Sequence, residues 1–173
     1  MCDELGKEVE LQDFQLDPAV FDMVTSRLGL VDVDQFADAG NAQLPKFRSR
    51  WFCDGTMGVD ALAHSWKGER SWVFPPFEMI ARTIYHMQLC GARGILVVPD
   101  DASQAWWPRI GQTAAGFGYR LRMKARRGLV RRDGGRTPCG ALPYDLLAIA
   151  FDFSRSRLDQ KHDMAKSACV GEV

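Results

Sequence analysis

Residues 72–80 read WVFPPFEMI, with two prolines held between two phenylalanines. Proline has no N–H and a nearly fixed φ, so a Pro-Pro pair sets the direction of its carbonyls and adds no donor of its own. The pair at Pro75 and Pro76 has two readings. It is a rigid strand-to-helix connection with Phe74 and Phe77 as packing residues, or it is a catalytic loop that has lost a polar residue. Adjacent Trp106 and Trp107 offer a stacking surface for a base or cofactor ring. Neighbouring tryptophans more often divide between core and surface. His64, His86 and His162 share no metal spacing with one another or with a cysteine, so no metal is expected.

A second chemistry is phosphate binding. Segment 120–136 reads RLRMKARRGLVRRDGGR, with Asp133 its only acid. Tyr119, Leu121, Met123 and Ala125 alternate with Arg120, Arg122, Lys124 and Arg126, which predicts a half-buried strand with a basic outer face. With Arg127, Arg131 and Arg132 following, this stretch suits sequence-independent, salt-sensitive contact with nucleic acid. The plain alternative is a solvated hairpin face.

Composition narrows the field. The 173 residues are 46% apolar and 25% charged with a formal net charge of +0, ordinary for one globular domain. No apolar run approaches the ~18 residues of a membrane span. The opening MCDELGKEVE is acidic and lacks the apolar core of a secretory signal. The cysteines number 5, are scattered and form no CxxC, which suits a reducing, intracellular setting, cytoplasmic or nuclear.

These residues need elements to hold them. Asp17-Pro18 reads as N-cap and first residue of a helix carrying Phe21, Val24 and Leu28, with Gly29 as its cap. A short strand should end at Asp34. Trp72–Phe74 reads as a strand stopped by the prolines, followed by a helix with Ile80, Ile84 and Met87 on one face and Gly91 at its end. GILVVP, residues 94–99, has the length and composition of a buried parallel strand. Residues 59–66 read as a brief strand and helix, and residues 100–110 as a loop and short helix. Strands at 119–126 and 146–153 should close the sheet. The predicted fold is an α/β Rossmann-like, methyltransferase-type sandwich, mostly parallel with a closing antiparallel strand pair. Its organisation is an acidic segment 1–16, a domain over 17–153 and a frayed polar tail over 154–173. In such sheets ligands bind beyond the carboxyl ends of the strands, where the loops after Asp34, Phe74 and Pro99 would meet.

Taken in order, VDQFADAGNAQLPKF, VDALAHSW, WVFPPF and GILVVPDDASQAWWP resemble the phage-type Dam family of DNA N6-adenine methyltransferases. They resemble still more the Dam-like domain of DIRS-like tyrosine-recombinase retrotransposons, which lies downstream of reverse transcriptase and RNase H. Upstream, LGKEVELQDFQLDPAVF resembles the junction between RNase H and that domain. The likeness covers residues 7–110, with weaker support through Phe153. It implies an S-adenosylmethionine pocket, retained or lost, with Asp34, Phe36, Asn41 and Asp60 on the cofactor side.

It also gives the prolines a chemistry. Active members carry Asp/Asn-Pro-Pro-Tyr/Phe. The acidic or amide oxygen and the first proline carbonyl accept the two N–H groups of an adenine amine, and the aromatic stacks on the flipped base. Phe74, Pro75, Pro76 and Phe77 occupy these places here. Pro75 and Phe77 fit. Phe74 departs, because a phenyl ring accepts no useful hydrogen bond, and the loss of one such contact typically costs ~100- to 1,000-fold in rate. The implied function is a retroelement-derived, Dam-like domain, weak or inactive in catalysis, that contacts DNA or a protein partner. The alternatives are an active DNA adenine N6-methyltransferase and a structural subunit of a larger assembly.

Overall fold

The computed structural model describes residues 14–111, 115–154 and 170–172, the last as backbone pairing only. Two helices are present among them. Helix α1, Pro18–Leu28, starts where Asp17 Oδ1 accepts the N–H groups of Ala19 and Val20 at 3.0 and 3.4 Å. It ends at Gly29, whose N–H reaches Thr25 O at 2.9 Å. Val20, Phe21 and Val24 form its buried stripe, and Phe21 meets Trp72 edge-on at 4.7 Å between ring centres. Helix α2, Ile80–Cys90, buries Ile80, Thr83, Ile84 and Met87 and stops at Gly91 in the left-handed region. The i, i+4, i+7 spacing of the apolar residues is what points one face of α2 inward.

Nine strands are described: β1 (Gln15–Leu16), β2 (Val33–Asp34), β3 (Arg70–Val73), β4 (Arg93–Pro99), β5 (Phe117–Met123), β6 (Val130–Arg132), β7 (Thr137–Pro138), β8 (Leu146–Asp152) and β9 (Val170–Glu172). They form a six-stranded sheet of order β2-β3-β4-β8-β5-β9 and a small sheet of order β1-β6-β7. In the large sheet β2, β3 and β4 run parallel, β8 is antiparallel to both β4 and β5, and β9 is parallel to β5. The small sheet is antiparallel throughout.

The expectation of a mostly parallel, Rossmann-like sandwich is therefore corrected: the chain is a mixed α/β fold. Its longest register, from Arg93–Asp152 to Pro99–Leu146, is antiparallel. Among the described residues, the β3–α2–β4 connection is the one that crosses over through an α-helix. The helical pieces expected at 59–66 and 100–110 are single 3-10 turns, Ala61–Ala63 and Trp107–Ile110. An apolar run such as β8 looks the same in sequence whichever way its neighbours run, so strand direction could not be read there. Gln15–Leu16 pair with β6, and Val170–Glu172, from the stretch expected to fray, pair with β5.

The large sheet is buried on both faces. One face packs Val73, Leu96, Val98, Leu147 and Ile149 beneath α2 and Trp106. The other packs Trp72, Phe74, Ile95, Val97 and Ala148 beneath α1. At its centre β3 and β4 approach so closely that a Cβ on Gly94, whose φ is +150°, would overlap the Ser71 backbone opposite. Gly94→Ala is expected to lower stability by ~3 kcal/mol or more, read from urea unfolding, because overlap with backbone cannot be relieved by a side-chain rotation.

Candidate functional site

The parallel run of β2, β3 and β4 brings their carboxyl ends to one edge. Asp34, Phe74 and Pro99 end or follow these strands, so their loops leave the sheet at the same edge. Of the four residues assigned to a cofactor, Asp34, Phe36 and Asn41 fall in one segment. Asp60 joins them through its N–H to Ser49 O at 2.9 Å, beside the bridge between Phe47 and Asp34.

Their oxygens, however, face their own loops. Asp34 is 3% exposed. Its Oδ1 accepts Phe36 N–H at 3.3 Å and its Oδ2 accepts Gln43 N–H at 3.0 Å. Burial pushes its carboxyl up to about 7, against the pull of those two N–H groups. Asn41 Oδ1 accepts Asp38 N–H at 2.7 Å, closing a tight turn. Asp60 stands at φ +58° and caps the 61–63 turn by accepting Leu62 N–H at 3.2 Å. Phe36 is half-buried, edge-on to Trp66 at 6.2 Å. As arranged, Asp34, Asn41 and Asp60 each spend at least one acceptor on a backbone N–H of their own loop or turn.

The proline motif is divided by strand parity. Successive residues of a strand face opposite sides. Trp72 and Phe74 therefore share the α1 face, and Phe74 is 8% exposed within the apolar cluster there. Pro75 and Pro76 are buried, and Pro76 O accepts Met79 N–H at 2.9 Å to open the turn leading into α2. Phe77 remains 40% exposed. One aromatic of the motif stays at the surface and the other is core. Trp106 is buried and Trp107 half-buried, the division favoured for such a pair.

The basic stretch is partly internal. The register of β5 against β8 shifts between Phe117 and Arg120. Leu121 and Met123 beyond the shift are buried as expected, Tyr119 is exposed, and Arg120, opposite Ile149, lies on a face of the sheet that is covered as well. Arg120 is buried and donates to Ile110 O, and burial lowers its pKa. Arg122 pairs with Asp100, Lys124 lies 3.5 Å from Asp145, and Arg131 pairs with Asp17. Arg126, Arg127, Arg132 and Arg136 are exposed. The exposed basic side chains thus lie mainly beyond β5.

A buried polar network went unforeseen. Arg48 holds Glu69 with two bonds, at 2.8 and 2.9 Å, and also donates to Gln35 Oε1 at 2.7 Å. Gln35 Nε2 reaches Glu69 at 3.0 Å and Ser71 Oγ at 2.9 Å. Burial pushes Glu69 up, but the bonds and charge of Arg48, with Gln35, outweigh it and hold its carboxyl below the usual range. The network ties the segment after β2 to the start of β3. Its members are far apart in sequence and follow no motif.

Among the described residues, no helix is long and apolar enough to cross a membrane, and no group of three or more His, Cys, Asp or Glu side chains could hold a metal ion. No protein-family model matches the chain, and no curated protein matches it either.

Two outcomes follow from this geometry. The raised Asp34 carboxyl favours the folded state when protonated, so its contribution is full below the ordinary carboxylate range and is lost as pH rises to about 7. Asp34→Asn should flatten that dependence, gaining on the wild type by an order of ~3 kcal/mol between pH 4 and 8 in urea unfolding. Phe74→Asn places an amide in an apolar cluster and should destabilise by ~3 kcal/mol or more without creating methyl transfer, read by calorimetry and by tritium transfer to DNA.

Proposed function

We propose that this chain is a non-catalytic relative of the Dam-type DNA adenine N6-methyltransferases, of the kind carried by DIRS-like retrotransposons, and that it contacts nucleic acid. The observation that carries the loss of catalysis is the burial of Phe74. At the place where an acceptor would meet the second N–H of an adenine amine, a phenyl ring is locked in the core. Reaching that place with a polar group requires dismantling the cluster under α1. The motifs behind the resemblance sit at or beside three parallel strand ends, β2, β3 and β4, which supports common descent of this edge. Asp34, Asn41 and Asp60 have become loop and cap residues, so S-adenosylmethionine is not needed to explain them.

Nucleic-acid contact rests on the exposed guanidinium groups of Arg126, Arg127, Arg132 and Arg136. Arginine forks suit phosphate oxygens, and such contacts release counterions. Cys53, Cys90 and Cys139 are free thiols, which supports an intracellular setting, cytoplasmic or nuclear.

The test has two parts. Tritium transfer from labelled S-adenosylmethionine to adenine-containing duplex should stay at background, and robust transfer would overturn the non-catalytic reading. Duplex affinity should fall steeply with salt, and replacing the four arginines with alanine should reduce the slope by roughly one unit per residue. Absence of wild-type binding at low ionic strength would remove the nucleic-acid reading.

A further inference from the structure

Residues 47–60 form a loop that leaves the end of β2 and returns beside it, bridged at Asp34–Phe47 and Ser49–Val59. Its base is held firmly. Ser49 Oγ lies 2.6 Å from Trp51 O and 2.8 Å from Thr56 Oγ1. Thr56 Oγ1 donates to Gly58 O at 2.9 Å, and Met57 N–H reaches Phe47 O at 2.9 Å. On this base Trp51 is 71% exposed and Phe52 83% exposed. The Arg50 guanidinium lies over the Trp51 ring, 5.5 Å from its centre. Two adjacent large aromatics held in water by an ordered loop serve no packing purpose, and such surface marks an interaction site.

We propose that the Trp51–Phe52 loop is a stacking platform for unpaired bases of a single-stranded nucleic acid. This deepens the nucleic-acid reading above and rests on it. Every base has a π face, and aromatic rings beside arginine are the usual means of holding single strands without reading sequence. A duplex hides those faces, so the platform selects single strands.

Charge assigns the loop and the arginine-bearing turns different tasks. Lys46 and Arg50 are exposed near the loop, but exposed Asp54 and Asp60 balance them. Attraction for phosphates must come from the exposed arginines. Their turn and the aromatic loop hang from one segment: Gly134 packs against Gly40 O, and Ala37 N–H reaches Arg48 O at 3.0 Å.

The experiment measures fluorescence anisotropy of a labelled oligothymidylate strand, and of a duplex of equal length, across a salt series. The proteins are the full chain, Trp51→Ala with Phe52→Ala, Trp51→Phe, and the four-arginine variant. The double variant should bind the single strand about tenfold or more weaker at every salt concentration, with an unchanged salt slope and unchanged duplex affinity. Trp51→Phe should retain most of the affinity, and circular dichroism should show each variant folded. Unchanged single-strand affinity in the double variant, with the wild type binding through its arginines, overturns the platform and leaves the nucleic-acid reading standing. Binding of neither probe by the wild type overturns both. If sedimentation shows that the double variant instead loses self-association, the loop is a protein interface and the proposal fails.

Discussion

β4 and β8 pair over their full seven-residue lengths, and both are buried on both faces along most of that register. A strand covered on both sides must supply apolar side chains in both directions, and ILVV and LLAI do so. From this pair the rest of the sheet extends as β3 and β2 on one side and β5 and β9 on the other. The two clusters it separates give each helix its place, α2 over one and α1 over the other. Gly94 sets how closely β3 can approach, and hence where the proline motif emerges.

Strand parity then decides the chemistry at the edge. With Trp72 against Phe21 under α1, the residue two places on must face the same cluster. An acid or amide there would need a polar cavity on that face. Phe74 fills the space instead, and the polar side chains nearby turn to their own loops. The two carboxylate oxygens of Asp34, the amide oxygen of Asn41 and the carboxylate of Asp60 each accept a backbone N–H. A buried acceptor committed to a backbone donor is costly to release, because the donor is then left unpaired. These side chains hold the loops at this edge of the sheet in place.

The exposed surface includes two features outside the core, the Trp51–Phe52 loop and the arginines after β5. The proposed nucleic-acid contact would use both. Electrostatic attraction and stacking are additive and tolerant of sequence, and neither requires the sub-ångström placement that group transfer demands.

Helix α1 with its Asp17 cap, helix α2 with its glycine stop, and the apolar strands β4 and β8 were determined by sequence alone, since their signals are local: capping, spacing and hydrophobic runs within a few residues. The halt of β3 at the prolines was legible for the same reason. Strand direction was not, because an apolar run carries no sign of its neighbour's polarity, and the mixed sheet emerged only on folding. Nor was the fate of the basic strand. Arg120 faces away from Leu121 as the alternation requires, but that face of the sheet is covered too, so Arg120 is buried and donates to Ile110 O, while Asp100, Asp145 and Asp17 engage Arg122, Lys124 and Arg131. The Arg48–Glu69–Gln35–Ser71 network and the burial of Asp34 likewise required residues distant in sequence to meet. Whether a charge is solvated, paired or buried depends on what lies across from it, and only the tertiary structure supplies that partner.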